Sequence, residues 1–127
     1  MKQAKIDFKR KVNKGKKYLK ENRKILKEVS NKYGVEPEFI VALIAIESHF
    51  GEIQGKNKVV DALATLTYDG RREALFSKEV INALSIMKNH NILRSKLRGS
   101  WAGAMGQCQF MPTTYLKYAV DYDKNGY

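Results

Sequence analysis

The sequence predicts an all-α fold in a single domain, on three observations. Apolar residues recur at three- and four-residue spacing through most of the chain, no segment alternates apolar and polar residues over a useful length, and glycine and proline fall where helices stop and start. A chain of 127 residues has room for one core, and no internal repeat or low-complexity linker divides it. The expectation is one domain over 1–127, of about five to six helices, with a basic helical region at 1–33.

From about Lys16 to Tyr33 the apolar residues Tyr18, Leu19, Ile25, Leu26, Val29 and Tyr33 follow amphipathic spacing between Lys, Arg, Glu and Asn. Gly34 stops this helix, and Pro37 opens the next, which runs to about Phe50. Phe39 to Ile46 is apolar on every side, which predicts that this helix is the buried centre of the fold, with Gly51 as its stop. A shorter helix is expected from about Val59 to Thr67. Beyond Gly70 a long amphipathic helix carries Leu75, Phe76, Glu79, Val80, Ala83, Leu84 and Met87. Periodicity disappears between Arg94 and Met111, where Gly99, Gly103 and Gly106 mark a loop, and Pro112 starts a last helix through Tyr115, Leu116, Tyr118 and Ala119.

Charge is unevenly placed. Residues 1–32 hold thirteen Lys and Arg against three Asp and Glu, so +10 of the net +11 lies in the first quarter of the chain. Such a segment suits an anionic partner, although a solvated helix face has the same composition. No zinc spacing, RNA-binding aromatic motif or phosphate loop accompanies it, so nucleic acid is not the expected partner. The longest apolar run has eight residues, far short of the roughly twenty of a spanning helix. No apolar stretch follows the early lysines to make a secretory signal. Cys108 is the single cysteine, which excludes an internal disulfide and paired-cysteine metal sites.

Two places carry candidate chemistry. Glu47 ends the most apolar segment and shares a helix face with Ile40, Leu43, Ile44 and Phe50. Desolvation there, together with the negative end of the helix dipole, would favour the protonated carboxyl that a general acid needs. A helix end meeting water is the bland alternative. The second place is GSWAGAMGQCQFMP, residues 99–112, whose small residues let backbone or ligand approach closely while Ser100, Gln107 and Gln109 offer neutral hydrogen-bonding groups suited to a polyol. The alternative is a packing corner plugged by Trp101 and Met105. Arg71 and Arg72 stand ready for an anionic group or, equally, form a solvated helix start.

With these in hand, the chain resembles the MltB-type lytic murein transglycosylases, glycoside hydrolase family 103, through ENRKILKEVSNKYGVEPEFIVALIAIESHFG, VVDALATLTYDGRREALF and KLRGSWAGAMGQCQFMPTTYLKYAVDYDKNGY. The resemblance implies a lysozyme-like helical domain in the bacterial envelope or periplasm. It would cleave the glycan of peptidoglycan between N-acetylmuramic acid and N-acetylglucosamine and leave 1,6-anhydro ends. It makes Glu47 the catalytic residue of an E-[ST]-x-[FY]-G motif, places Ser100 and Gln109 along the saccharide groove, and matches Arg71 and Arg72 to the family's paired arginines, with Gln107 a further substrate-binding candidate from its place in the loop. Cys108 stands where Thr is usual, and no lipid-anchoring cysteine is present.

Because the family's sugar supplies its own nucleophile, no second carboxylate is needed, and Asp61 and Asp69 are the acidic residues left to weigh. Two other readings stay open: a muramidase hydrolysing the same bond, and a peptidoglycan-binding module without turnover. No cofactor is expected to be required. DYDKNG supplies Asp121, Asp123 and Asn125, with the Tyr127 carbonyl, as the first part of an EF-hand-type calcium loop. Because the match stops there, the expectations are weak calcium binding and self-association through an uncovered edge.

Overall fold

Asn22 divides what periodicity reads as one helix. In the computed structural model, which describes residues 2–126, its backbone N–H and its side-chain Nδ2 both donate to the Tyr18 carbonyl, at 3.0 and 2.9 Å. A side chain that competes for its own turn's carbonyl bends a helix. Asn22 accordingly leaves helical geometry at φ −107° and ψ 19°, and α1 (Lys2–Glu21) and α2 (Arg23–Tyr33) lie on either side. The expected single helix from Lys16 to Tyr33 therefore ends where expected but is broken at Asn22 and begins earlier. Its start moves to Lys2, because a face made of Phe8, Val12, Gly15 and Leu19 runs through residues whose basic composition conceals it.

Backbone contacts sort the chain into two compact units, Met1–Ile53 and Gln54–Tyr127. In the first, Gly34 at φ 68° ends α2, and α3 (Pro37–Ser48) starts with proline in its first turn. Leu26, Val41 and Phe50 form its small core, with Tyr18, Leu19, Ile40 and Ala45 packed around them. The expectation that Phe39–Ile46 is the buried centre is not met. Val41 is buried, whereas Phe39, Leu43 and Ile46 are 69, 48 and 80% exposed. A helix apolar all round needs neighbours all round, and within its unit α3 packs only on α1 and α2.

In the second unit the order is β1 (Asn57–Lys58), α4 (Val59–Asp69), α5 (Glu73–Asn89), β2 (Arg98–Gly99) and α6 (Pro112–Tyr118). Val59, Leu63, Ala83, Ile86, Leu97 and Met105 are its core, so α4 and α5 meet through their apolar stripes and the glycine-rich loop contributes Met105 from above. The two short strands pair antiparallel, Asn57 opposite Gly99 and Lys58 opposite Arg98. Six helices among the described residues match the all-α expectation, and none is long and apolar enough to cross a membrane.

Glu79 fixes α6. It is 5% exposed, and its carboxylate accepts from Thr113 N at 2.9 Å and from Thr113 Oγ1 at 2.7 Å. Thr113 Oγ1 in turn accepts from Asn82 Nδ2 at 2.7 Å. A carboxylate at the positive end of a helix satisfies N–H groups that have no partner within the helix.

Candidate active site

Glu47 lies in the last turn of α3, immediately before a backbone turn of unusual geometry. His49, Phe50 and Gly51 all have positive φ, at 50, 61 and 84°. Only glycine adopts that region freely, and a bulky residue there costs about 1–3 kcal/mol unless its surroundings hold it. Two features do. Ser48 is 1% exposed and donates from Oγ to the Ile44 carbonyl at 3.2 Å while accepting from Gly51 N at 2.9 Å. The Phe50 ring is buried against Tyr18, with ring centroids 5.7 Å apart. The three residues that follow Glu47 in the motif with fixed or restricted identity, Ser48, Phe50 and Gly51, are thus the ones that shape its helix end. Past the turn, Lys14 of α1 pairs with Glu52 and ties it down.

The desolvation expected of Glu47 is not present. Its side chain is exposed, because Leu43 and Ile46 beside it are themselves exposed and build no wall. Among the described residues its carboxylate makes no hydrogen bond and no ion pair. Asp61 and Asp69 differ in this respect. Arg94 Nε lies 3.3 Å from Asp61 and Arg71 Nε lies 3.1 Å from Asp69.

Ser100, Gln107 and Gln109 belong to the second unit, on a loop folded into successive turns. Isolated bridges pair Gly99 with Met105 and Met105 with Phe110, so Met105, buried at 8%, pins both turns to the core. Ser100 Oγ accepts from Ala104 N at 3.0 Å and Ala102 N at 3.3 Å, which leaves its hydroxyl proton to donate. Gln109 has φ 50°, and its Nε2 donates to the carbonyls of Gly106 at 2.9 Å and Gln54 at 3.2 Å. Its side-chain carbonyl is the group left to accept from a ligand. A neutral donor and a neutral acceptor on consecutive turns suit hydroxyl and acetamido groups. Gln107 is exposed on the same loop.

Small residues in this loop are required by contact. A Cβ on Gly103, which sits at φ 87°, would lie 2.6 Å from Leu63 Cδ2. Trp101 and Met105 separate here: Met105 is a core plug, but Trp101 is 71% exposed. Arg71 and Arg72 stand at the α4–α5 corner, Arg71 exposed at 86% and Arg72 as the residue capping α5.

At 121–126 the Asp121 carboxylate accepts from Asn125 N at 3.2 Å and Gly126 N at 2.8 Å, and Asp123 Oδ2 accepts from Asn125 Nδ2 at 2.8 Å. Three oxygen-bearing side chains are gathered on one turn, with Gly126 at φ 90°. Oxygen donors suit a hard cation such as calcium. No group of three His, Cys, Asp or Glu occurs among the described residues, so Asn125 is needed to make up the set. The Tyr127 ligand lies outside the described residues.

Sequence reasoning missed the structural parts of Ser48 and Glu79. The available signals were a serine inside the most apolar helix and a glutamate flanked by Phe76, Val80 and Ala83.

The transglycosylase SLT domain family matches residues 4–127. Membrane-bound lytic murein transglycosylase B of Escherichia coli (strain K12) is 44% identical over 96 residues, which are 75% of this chain and 27% of that protein. Similar solved structures include two informative ones. SltB3 of Pseudomonas aeruginosa in complex with NAG-anhNAM-pentapeptide has a TM-score of 0.86 and 41% identity, over 91% of this chain and 31% of its own. The Escherichia coli lytic transglycosylase Slt35 in complex with calcium has a TM-score of 0.88 and 38% identity, over 92% and 38%. The chain thus spans well under half of the length of each.

Proposed function

We propose, from the premise that the chain belongs to the transglycosylase SLT domain family, that residues 1–127 are a catalytic portion of a lytic transglycosylase acting on peptidoglycan, with Glu47 as the only acid and base. What carries this reading is the family match through the ESHFG turn, where buried Ser48 and Phe50 hold an exposed carboxylate with no protein partner among the described residues.

Protonated Glu47 donates to the glycosidic oxygen as the bond from muramic acid C1 breaks. The sugar's own N-acetyl group supports the cation that develops. Glu47, now a carboxylate, takes the proton of the C6 hydroxyl while O6 bonds to C1, so the acid is regenerated and no water is consumed. The product is a 1,6-anhydro end. Glycan lying over Glu47 excludes water from a carboxyl that is otherwise exposed. Ser100, as donor, and Gln109, as acceptor, hold sugar groups, with Gln107 beside them. Arg71 and Arg72 meet substrate carboxylates.

The resemblance also supports a place in the bacterial envelope or periplasm, with the basic region 1–33 retaining the protein on its anionic polymer. Asp121, Asp123 and Asn125 bind calcium, as the likeness to calcium-bound Slt35 suggests. Phe8, Phe39 and Ile46, exposed at 71, 69 and 80%, favour self-association of the isolated chain.

Digestion of purified sacculi, read by mass spectrometry, tests the reading. Soluble fragments with anhydro ends support it. Reducing ends would make the chain a muramidase, and retention on sacculi without release would make it a binding module.

A further inference from the structure

On the second unit, β1, α4 and the start of the glycine-rich loop border an open cavity of about 490 Å³ lined by Lys56, Lys58, Asp61, Thr65, Arg98 and Trp101, among others. Its size is that of a small-ligand site. Three observations make it unusual. Lys58 and Arg98 lie directly opposite each other in the antiparallel pair, where like charges destabilise. Arg98 cannot swing away, because its Nε donates to the Ser95 carbonyl at 2.8 Å and its Nη1 to the Lys56 carbonyl at 2.9 Å. Among the described residues neither Lys56 nor Lys58 has an ion-pair partner, and the one lining carboxylate, Asp61, is held by Arg94 at 3.3 Å. The cavity therefore carries uncompensated positive charge around a fixed guanidinium. At its edge stands Trp101, a large aromatic left 71% exposed.

We infer that this cavity is a second recognition site, taking a sugar ring on the face of Trp101 and the carboxylate of the peptide attached to that sugar between Lys56, Lys58 and Arg98. An anion there relieves the Lys58–Arg98 repulsion, and Trp101, with only Ala62 and Leu66 as apolar side chains in the lining, offers a face sized for one sugar ring rather than the continuous apolar surface a lipid chain needs. Thr65, whose hydroxyl proton goes to the Asp61 carbonyl at 2.8 Å, keeps its oxygen to accept from a peptide N–H. The inference rests on the proposed peptidoglycan substrate and names the part of it that this site reads: the acidic stem peptide.

The test uses the full chain and its single tryptophan, Trp101, whose emission, excited away from the tyrosines, reports on this loop, while lysine variants separate the cavity from the neighbouring groove at Ser100. Wild type is titrated with NAG-anhNAM-pentapeptide and with peptide-free NAG-anhNAM, neither of which is consumed. The peptide-bearing ligand should change the emission saturably and bind about tenfold more tightly than the peptide-free one, the worth of two exposed charge pairs, with the difference shrinking in high salt. In Lys56→Gln/Lys58→Gln that advantage should shrink to whatever Arg71 and Arg72 contribute from the groove, and Lys56→Arg/Lys58→Arg should restore it. Equal affinity for the two ligands, an undiminished advantage in the glutamine variant, or tighter binding of a short DNA oligonucleotide would overturn the site. Sacculus digestion run beside it separates the two ideas: no cleavage with intact ligand discrimination overturns the enzymatic reading only, and cleavage without discrimination overturns the second site only.

Discussion

Ser48 Oγ accepts the Gly51 backbone N–H at 2.9 Å from a position that is 1% exposed, and so closes the turn that follows Glu47. Replacing it with alanine removes that acceptor together with the bond to the Ile44 carbonyl at 3.2 Å. Ser48→Ala should lower the unfolding free energy by about 1–2 kcal/mol. Urea denaturation measures this, and an unchanged midpoint would show that backbone bonds alone hold the turn.

Thr113 makes the same kind of demand on Glu79. Both carboxylate oxygens accept from it, and Asn82 already donates to its hydroxyl. In Glu79→Gln the new amide can accept only one of these bonds and aims N–H groups at an oxygen whose own proton then has no acceptor. The expected cost is about 1–3 kcal/mol, seen as a lower midpoint in chemical denaturation. Wild-type stability in that variant would mean that α6 needs no cap from α5.

Gly103 faces Leu63, which has no exposed surface. An added Cβ would meet Leu63 Cδ2 at 2.6 Å, at a backbone φ of 87° that disfavours any side chain. Gly103→Ala combines overpacking with backbone strain and should cost about 2–4 kcal/mol. A thermal midpoint equal to wild type would contradict the packing described here.

Much of this was legible in the sequence, for identifiable reasons. Gly34, Gly70, Pro37 and Pro112 punctuate the helices where the chain turns, because backbone chemistry at those residues is local, whereas α3 ends at Ser48 with His49 as its left-handed cap, before the expected stop at Gly51. The α1–α2 break was not legible, since Asn22 is an ordinary helix-surface residue until its side chain bonds back to Tyr18. Glu47 was found through the segment that carries it, but its exposure was misjudged: periodicity reports which residues share a face and not whether anything covers that face. Trp101 and Met105 looked alike in sequence and part company because only Met105 points into the core built by α4 and α5.

The Lys14–Glu52 pair gives a pH dependence with a defined sign. The hydrogen bond from Lys14 is the largest influence on the Glu52 carboxyl; desolvation opposes it, and the charges of Lys14 and then His49 add to it, so the carboxyl is held below its ordinary value of 4.5. A carboxyl depressed in the folded state contributes stability above its unfolded pKa, and that contribution is lost as pH falls through the folded value. Glu52→Gln should therefore be less stable than wild type at neutral pH, and the difference should shrink as pH falls below the ordinary carboxylate value and through the lowered folded one. Paired thermal melts at several pH values measure the difference. A gap that persists in acid would remove the ion pair as its cause.

The central claim is that one carboxyl, Glu47, does the work of acid and base. Glu47→Gln keeps the shape of an exposed side chain and removes the titrating proton. The most direct measurement is release of soluble fragments from sacculi by wild type and Glu47→Gln side by side, with ends identified by mass spectrometry and retained sacculus binding as the control for folding. Wild type should release 1,6-anhydro ends, and the variant should bind equally while its rate falls by about 10²–10⁴-fold or more. Near wild-type release of anhydro ends by Glu47→Gln would contradict the account outright.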